Sequence, residues 1–305
     1  MLASFCVSLP VALGGSLALA GGYVASLYVR ARFRRSNGRA PDRDEPRVIK
    51  DRFMRVGIAC AVAPWITMAA VALPGPSASC PLAMPLARWF GLLPKDVPTL
   101  LAAAMAPLGL TMVLFLGPLM TTWMDADSKL NLTLAGVRST GILGQLRASY
   151  GAIDLRTLRN LVVGPLSEEW VFRACMCPLL YGAGLSDAAS VFISGIFFGL
   201  AHVHHVFDAD ASLVVVAVQF TYTTLFGAYS SYLFLRTGLI YGPVLAHAFC
   251  NCMGLPDFGR ALREKNVGLA FVVGLGSFIA LTYLDAVHRP PLFGSIMWTE
   301  LLASR

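Results

Sequence analysis

Three clusters of polar side chains interrupt apolar stretches of the sequence. They are Glu168, Glu169 and Arg173 in GPLSEEWVFRACMCPLL, His202 in FFGLAHVHH, and His247 with Asn251 in HAFCN. Ionisable groups are expensive to bury in an apolar surrounding, so they are candidates for function wherever they occur there. The residue types also suggest a chemistry, because carboxylate, imidazole and amide groups are the usual participants in hydrolysis.

A desolvated carboxylate is a competent general base for a water molecule. Two histidines and an amide can orient that water and donate hydrogen bonds to a developing oxyanion. The three clusters together therefore predict a hydrolase of acyl or peptide bonds.

Other hydrolytic mechanisms fit the sequence less well. The nucleophile elbow GxSxG of many serine hydrolases and the zinc motif HExxH are both absent. Cys250 lies three residues after His247, but a Cys–His pair at that spacing has no third group to orient it. Glu168, His202 and His247 form a possible two-histidine, one-carboxylate zinc site, and this alternative stays open.

The spacing within the first cluster separates its two carboxylates. Glu169 and Arg173 are four residues apart, so they meet on one face of a helix and can form an ion pair. This pairing would neutralise one carboxylate and leave Glu168 on a different face, available for chemistry.

The other two clusters contain the same helical spacing. His247 and Asn251 are four residues apart, which places an imidazole and an amide on one face. Phe198 precedes His202 by four residues, so its ring can wedge against the imidazole. Taken alone, a histidine or an asparagine in such a segment more often has a structural role in helix packing.

The elements that carry these clusters are predicted from composition and charge distribution. The chain has 305 residues, 56% of them hydrophobic and only 13% charged. Soluble domains average about 25% charged residues. Long runs carry no charge at all, and a helix of about 20 apolar residues crosses a bilayer. Because these runs do not alternate apolar and polar residues, we predict an all-α, polytopic membrane bundle rather than a β-barrel.

Eight membrane spans fit the apolar runs. Their predicted bounds are 3–29, 56–74, 98–124, 161–182, 188–206, 212–235, 238–256 and 268–286. At 1.5 Å per helical residue, Glu168, His202 and His247 lie roughly 12, 9 and 15 Å from the same membrane face. We therefore expect an intramembrane catalytic chamber where three separate spans converge.

The basic residues orient these spans. Ten of the 24 Lys and Arg residues lie in 30–55, and the loops 125–159 and 257–267 are also basic. The positive-inside rule places these three loops in the cytosol, on the side of the predicted chamber. The basic loops therefore explain the net charge of +7, and no nucleic-acid partner is expected.

The three clusters match a known set of motifs. EEWVFR fits EExxxR, FGLAH fits FxxxH and HAFCN fits HxxxN, in this order. The sequence resembles the eukaryotic branch of the type II CAAX prenyl endopeptidases, the Ras and a-factor converting enzymes of the endoplasmic reticulum. The specific resemblance covers residues 160–254, within what we expect to be one integral membrane protease domain spanning 1–305.

The resemblance implies an activity, a location and partners. Members of this family cut prenylated C-terminal CAAX sequences after the modified cysteine and release the last three residues. Farnesylated or geranylgeranylated proteins such as small GTPases would be substrates, and the lipid bilayer would hold the prenyl group. The enzyme would be a multi-pass protein of the endoplasmic reticulum membrane, with its active site open to the cytosol. No cofactor and no metal are implied.

The resemblance also implies a role for each motif residue. Glu168 would activate water with the aid of His202, His247 and Asn251 would stabilise the oxyanion, and Glu169 and Arg173, with Phe198, would support the site.

Two alternatives remain beside this interpretation. The wider superfamily includes bacterial membrane proteins without established protease activity, so a non-proteolytic role is the second functional class. The basic segment 30–55 is best explained as a topology signal. Attraction of anionic lipid or of the substrate carboxylate is the alternative explanation for it.

Overall fold

Helices dominate the structure, a computed structural model. It describes residues 2–4, 7–28, 42–73, 83–125, 154–203 and 212–287. In chain order its elements are β1 (Leu2–Ser4), α1 (Leu9–Tyr28), α2 (Pro46–Ala72), β2 (Ala83–Pro85), α3 (Leu86–Trp89), α4 (Val97–Leu114), α5 (116–125), α6 (155–182), α7 (Asp187–His202), α8 (Leu213–Thr237), α9 (Tyr241–Met253), α10 (Phe258–Arg263) and α11 (Lys265–Val287).

Within the described residues, five helices are long and apolar enough to cross a membrane: α1, α2, α4, α8 and α11. Large apolar side chains point outward from them, as expected for a surface that faces lipid; Trp65 and Val272 are 68% and 70% exposed. The predicted all-α membrane bundle is confirmed. The count of eight spans stays a prediction, since α7 and α9 are short and α6 changes its helical geometry along its length.

Two helices do not begin where the predicted spans begin. The first span does not begin at residue 3, because Leu2–Ser4 pairs as an antiparallel strand with Ala83–Pro85 and α1 starts only at Leu9. The second helix begins at Pro46 instead of residue 56, inside the predicted basic loop. Val48 and Ile49 are buried there, so packing extends the helix beyond the apolar run. The rest of that loop, residues 29–41, lies outside the described residues.

The predicted span 98–124 is broken in two at Phe115, between α4 and α5. Pro118 explains the break, because its missing N–H cannot bond to the carbonyl of residue 114. An interfacial helix expected within 125–159 lies outside the described residues, since 126–153 are not described.

Helix α6 forms the centre of the bundle. It carries two π-helical stretches, Arg159–Val163 and Trp170–Met176, on either side of an α-helical turn at Gly164–Glu169. Such widened turns are frequent at functional sites. Nearly every side chain from 171 to 180 is buried, and a helix that is covered on all sides belongs to the core.

Helices α7 and α8 pack closely against each other because small residues line their contact. A Cβ atom added to Gly227 on α8 would lie 2.9 Å from the Cβ atom of Phe198 on α7, closer than such atoms approach. A Cβ atom at Gly199 would meet the Thr224 side chain at 2.0 Å. This close approach brings Phe198 and His202 against the centre of α6.

Candidate active site

Glu169 is the centre of a buried polar network. Its carboxylate accepts a hydrogen bond of 2.6 Å from the Ser230 hydroxyl and lies 3.1 Å from Nε of Arg173. Its other oxygen lies 2.7 Å from Nδ1 of His247. The Glu169–Arg173 ion pair predicted from the sequence is thus present, with both side chains fully buried. The contacts with Ser230 and His247 also tie α6 to α8 and α9, which the sequence did not predict.

Glu168 has a different environment from its neighbour. Its side chain is 21% exposed and lines a cavity, and its carboxylate lies 3.8 Å from Nε2 of His247. His247 therefore stands between two carboxylates, with Nδ1 toward Glu169 and Nε2 toward Glu168. This separation of the two glutamates onto different faces agrees with the prediction from their spacing.

His202 lies at the end of α7 and lines the same cavity as Glu168. Its Nδ1 atom lies 2.7 Å from the carbonyl oxygen of Phe198. A carbonyl oxygen only accepts hydrogen bonds, so Nδ1 must carry the proton in this arrangement. In the neutral ring, Nε2 is then the acceptor atom.

The Phe198 ring connects the three clusters. It packs against His202 with ring centroids 4.6 Å apart, as its spacing predicted. The guanidinium carbon of Arg173 lies 4.3 Å from its centroid, a cation–π distance. Its centroid is also 6.1 Å from that of His247. Residues far apart in the chain are therefore held by one buried aromatic ring.

Asn251 lies on α9, one turn beyond His247, and lines the cavity. Its Nδ2 atom donates a hydrogen bond of 2.9 Å to the carbonyl oxygen of Asn160 on α6. This bond fixes the amide beside the start of the π-helical stretch. The structure thus places Glu168, His202 and Asn251 around one cavity, whereas His247 is buried behind Glu168 and does not line the cavity.

The cavity has a volume of about 280 Å³. It is lined by residues from α1, α2, α6, α7 and α9 and from the segment before α2: Tyr23, Val24, Leu27, Arg43, Arg52, Arg159, Asn160, Gly164, Glu168, Phe172, Ala201, His202 and Asn251.

Sequence reasoning missed two hydroxyl residues near this cavity. Tyr23 on α1 lines it and its hydroxyl lies 2.9 Å from that of Ser167. Ser230 on α8 binds Glu169. A serine hydroxyl in an apolar helix commonly bonds its own backbone, and a lone tyrosine is a common core residue. No spacing pattern therefore distinguished either residue from ordinary core positions.

The zinc alternative gains no support from the described part of the chain. Within it, no group of three or more His, Cys, Asp or Glu side chains is arranged to hold a metal ion. The position of His247 explains this, because its Nδ1 is engaged by Glu169 and its Nε2 is 3.8 Å from Glu168. Cys250, considered above for a Cys–His pair, does not line the cavity.

Comparisons with known proteins agree with these motifs. The family model described as type II CAAX prenyl endopeptidase Rce1-like matches residues 153–253, which contain all three clusters. CAAX prenyl protease 2 of Homo sapiens is 39% identical over 300 residues, which cover 94% of this chain and 84% of that protein. CAAX prenyl protease 2 of Rattus norvegicus is 36% identical over 290 residues, covering 93% and 82%.

A more distant similarity extends to bacteria. The putative membrane peptidase YdiL of Bacillus subtilis is 27% identical over 127 residues, 40% of this chain. No solved structure gave a significant match. The match of these two mammalian proteases over more than nine tenths of this chain decides between the two functional classes left open by the sequence. The chain belongs to the type II CAAX prenyl endopeptidase family and is a membrane protease, a hydrolase.

Proposed function

We propose that this protease removes the C-terminal tripeptide from prenylated CAAX proteins. The observation that carries the proposal is the cavity that Glu168 shares with His202 and Asn251, within the segment matched by the family model. The names of the mammalian relatives, CAAX prenyl protease 2, support the same substrate class. Both farnesylated and geranylgeranylated proteins, small GTPases among them, fit this proposal.

Glu168 and His202 activate the attacking water. Glu168 takes one proton from the water, while the Nε2 acceptor of His202 holds its second hydrogen. The water oxygen attacks the carbonyl carbon of the peptide bond that follows the prenylated cysteine. When the carbon–nitrogen bond breaks, Glu168 returns the proton to the leaving amine of the tripeptide.

His247 and Asn251 stabilise the tetrahedral intermediate. Nδ1 of His247 donates to Glu169, so its Nε2 donates to an oxyanion only when the ring is protonated. The formal charges of Glu168, Glu169, Arg173 and a protonated His247 then sum to zero. The Asn251 amide has a second N–H besides the one bound to Asn160, and this N–H completes the oxyanion site.

The predicted orientation supports this proposal, because it puts the cavity on the side where a prenylated protein presents its C-terminus. Arginines and asparagines line it at the ends of α2, α6 and α9 that the positive-inside rule assigns to the cytosol. A prenyl chain anchors its protein at the membrane surface, so peptide and lipid anchor approach the site together. We assign the enzyme to the endoplasmic reticulum membrane, with the active site open to the cytosol.

The direct test is cleavage of a farnesylated CAAX peptide by the detergent-purified protein, with mass spectrometry of the products. We expect release of the intact C-terminal tripeptide, and no release from the same peptide without its farnesyl group. Glu168→Gln should abolish release while the protein remains folded. Absence of cleavage by the wild type, or unchanged cleavage by Glu168→Gln, would contradict the proposal.

A second arm tests the role of metal. Because water activation is assigned to Glu168 and His202, activity should survive prolonged treatment with a chelator. Loss of activity that returns on adding zinc would favour the two-histidine, one-carboxylate alternative.

A further inference from the structure

The cavity beside Glu168 is basic. Its ionised lining consists of Arg43, Arg52 and Arg159 against one carboxylate, Glu168, so with neutral His202 its formal charge is 3 − 1 = +2. Arg52 is close enough to Arg43 and to Arg159 to be repelled by both of these cations. An anion bound among them would relieve that repulsion.

Of the three arginines, Arg52 has the fewest ion-pair and hydrogen-bond partners. Arg159 donates a hydrogen bond of 2.8 Å to Asp44 and another of 2.9 Å to Asn160. Arg43 lies 4.0 Å from Asp44. Arg52 is half-buried on α2, and among the described residues it forms neither an ion pair nor a side-chain hydrogen bond. Its guanidinium group is therefore available to an anionic ligand that enters the cavity.

We propose that Arg52, supported by Arg159, binds the C-terminal carboxylate of the substrate. This inference rests on the proposed function, since the leaving tripeptide ends in that carboxylate. An extended tripeptide spans about 10 Å, so a substrate with its scissile bond at Glu168 needs its cationic partner in the same small cavity. Arginine suits this task, because its planar fork binds carboxylates in a bidentate manner.

The assignment explains how one site accepts varied CAAX sequences yet cuts at one place. The terminal carboxylate is the ionised group that all such sequences share, whatever the side chains of the last three residues. Anchoring it at a fixed distance from Glu168 sets which peptide bond meets the activated water. Arg52 thus acts as a specificity residue that measures the length of the leaving group.

The test compares two farnesylated peptides of identical sequence, one ending in a free acid and one in an amide. For the wild type in neutral detergent, KM for the acid should be about tenfold lower, which corresponds to about 1.4 kcal/mol. Arg52→Gln should raise KM for the acid to that of the amide, with the amide unchanged. Arg52→Lys should recover part of the preference.

Arg156→Gln is the matched control. Arg156 lies one turn before Arg159, is 57% exposed and does not line the cavity, so its loss changes the local charge equally but should leave the acid preference intact. Equal KM values for acid and amide in the wild type would overturn the inference, as would an equal rise for both peptides in Arg52→Gln.

A binding measurement separates this inference from the proposed function. The dissociation constants of both peptides are measured on Glu168→Gln and on the double variant with Arg52→Gln. If the protein binds the acid more tightly and Arg52→Gln removes this preference, the carboxylate site is supported. This holds even if the wild type cleaves neither peptide, because absence of cleavage would contradict only the proposed function. An Arg52 effect that requires added phosphatidylserine and is equal for both peptides would identify a lipid phosphate site instead.

Discussion

Two buried ionic clusters in this molecule have similar composition and different surroundings. In the first, on α6 and α9, Glu169 is fully buried and binds Arg173 and His247. In the second, between α8 and α11, Asp285 is fully buried and accepts hydrogen bonds from Tyr232 and from Nε of Arg236, the latter at 2.8 Å. Each cluster pairs one carboxylate with one guanidinium group and joins helices that are distant in sequence.

The difference lies in what stands next to each pair. Asp285, Tyr232 and Arg236 bind one another, and none of them lines the cavity described above. Glu169 is followed outward by His247 and then by Glu168, which is partly exposed to the cavity. A buried ion pair alone is therefore weak grounds for assigning function. The informative feature is the additional carboxylate that the pair leaves unneutralised beside a cavity.

The largest expected effect is the loss of catalysis in Glu168→Gln. Removal of a general base typically lowers kcat by about 10²- to 10⁴-fold. Because Glu168 forms no part of the buried pair, the thermal unfolding midpoint should remain close to that of the wild type. Peptide cleavage and thermal unfolding, measured on the same preparation, check the expected fall in kcat and the expected unchanged unfolding midpoint. A large loss of stability would show that Glu168 belongs to the structural pair and would erase the contrast between the two glutamates.

Glu169→Gln should reduce both stability and activity. The substitution leaves the buried Arg173 charge uncompensated, and breaking such a pair costs about 3–5 kcal/mol. It also weakens the contact that orients His247, so kcat should fall even for the folded fraction. Chemical unfolding together with kcat per folded molecule tests this. If Glu169→Gln were destabilised but normally active, His247 would not need its contact with Glu169 for catalysis.

Asp285→Asn should affect stability alone. Arg236 loses this carboxylate partner at a largely buried position, so we expect a loss of up to about 3 kcal/mol in the free energy of unfolding. The kcat of the folded fraction should stay unchanged, since this cluster is separate from the cavity. A fall in kcat comparable to that of Glu169→Gln would mean that the two clusters do not differ in kind.

Sequence reasoning recovered the residues of the site because their chemistry conflicts with apolar surroundings. Glu168, His202 and Asn251 were identified by type, and the Glu169–Arg173 pair by helical spacing. The contact between Glu169 and His247 was not predictable, because it joins residues 78 positions apart through the packing of α6 on α9. Spacing rules act within one helix and carry no information about such contacts.

Helix ends were less predictable for a related reason. Hydropathy locates apolar runs, but α2 begins earlier, where Val48 and Ile49 are buried by neighbouring elements. Arg52 was consequently interpreted as part of a loop that sets topology, whereas it lies on a helix and lines the cavity. Asp285 escaped notice because it stands at the end of an apolar run, a common position for a solvated charge.

Ser230→Ala should change stability and kcat less than Glu169→Gln, which removes the carboxylate charge itself. It removes one hydrogen bond to the Glu169 carboxylate, and such bonds to charged groups contribute about 1.5 kcal/mol. A modest fall in kcat should accompany this loss, because the same carboxylate holds His247. Ser231→Ala is the matched control, since the Ser231 hydroxyl binds Ser194 and the carbonyl of Gly227. Equal effects of both variants on kcat would argue against a link between Ser230 and the site.

The smallest effect is expected at a partly exposed ion pair outside these two clusters, where Asp44 binds Arg159 at 2.8 Å. This hydrogen bond lowers the pKa of Asp44 below its usual value of 3.8. A carboxyl group whose pKa is lowered by folding stabilises the folded state when the pH lies above its unfolded-state pKa. This contribution disappears as the pH falls through the folded-state pKa. Asp44→Asn should therefore lower the unfolding midpoint slightly at pH 7, and the difference should shrink as the pH falls below 3.8 and vanish once it lies below the folded pKa. It should also shrink at about 1 M salt, which screens exposed pairs but not the buried ones. A difference that persisted at low pH and high salt would mean that Asp44 acts through packing, and the division between buried and exposed clusters would need revision.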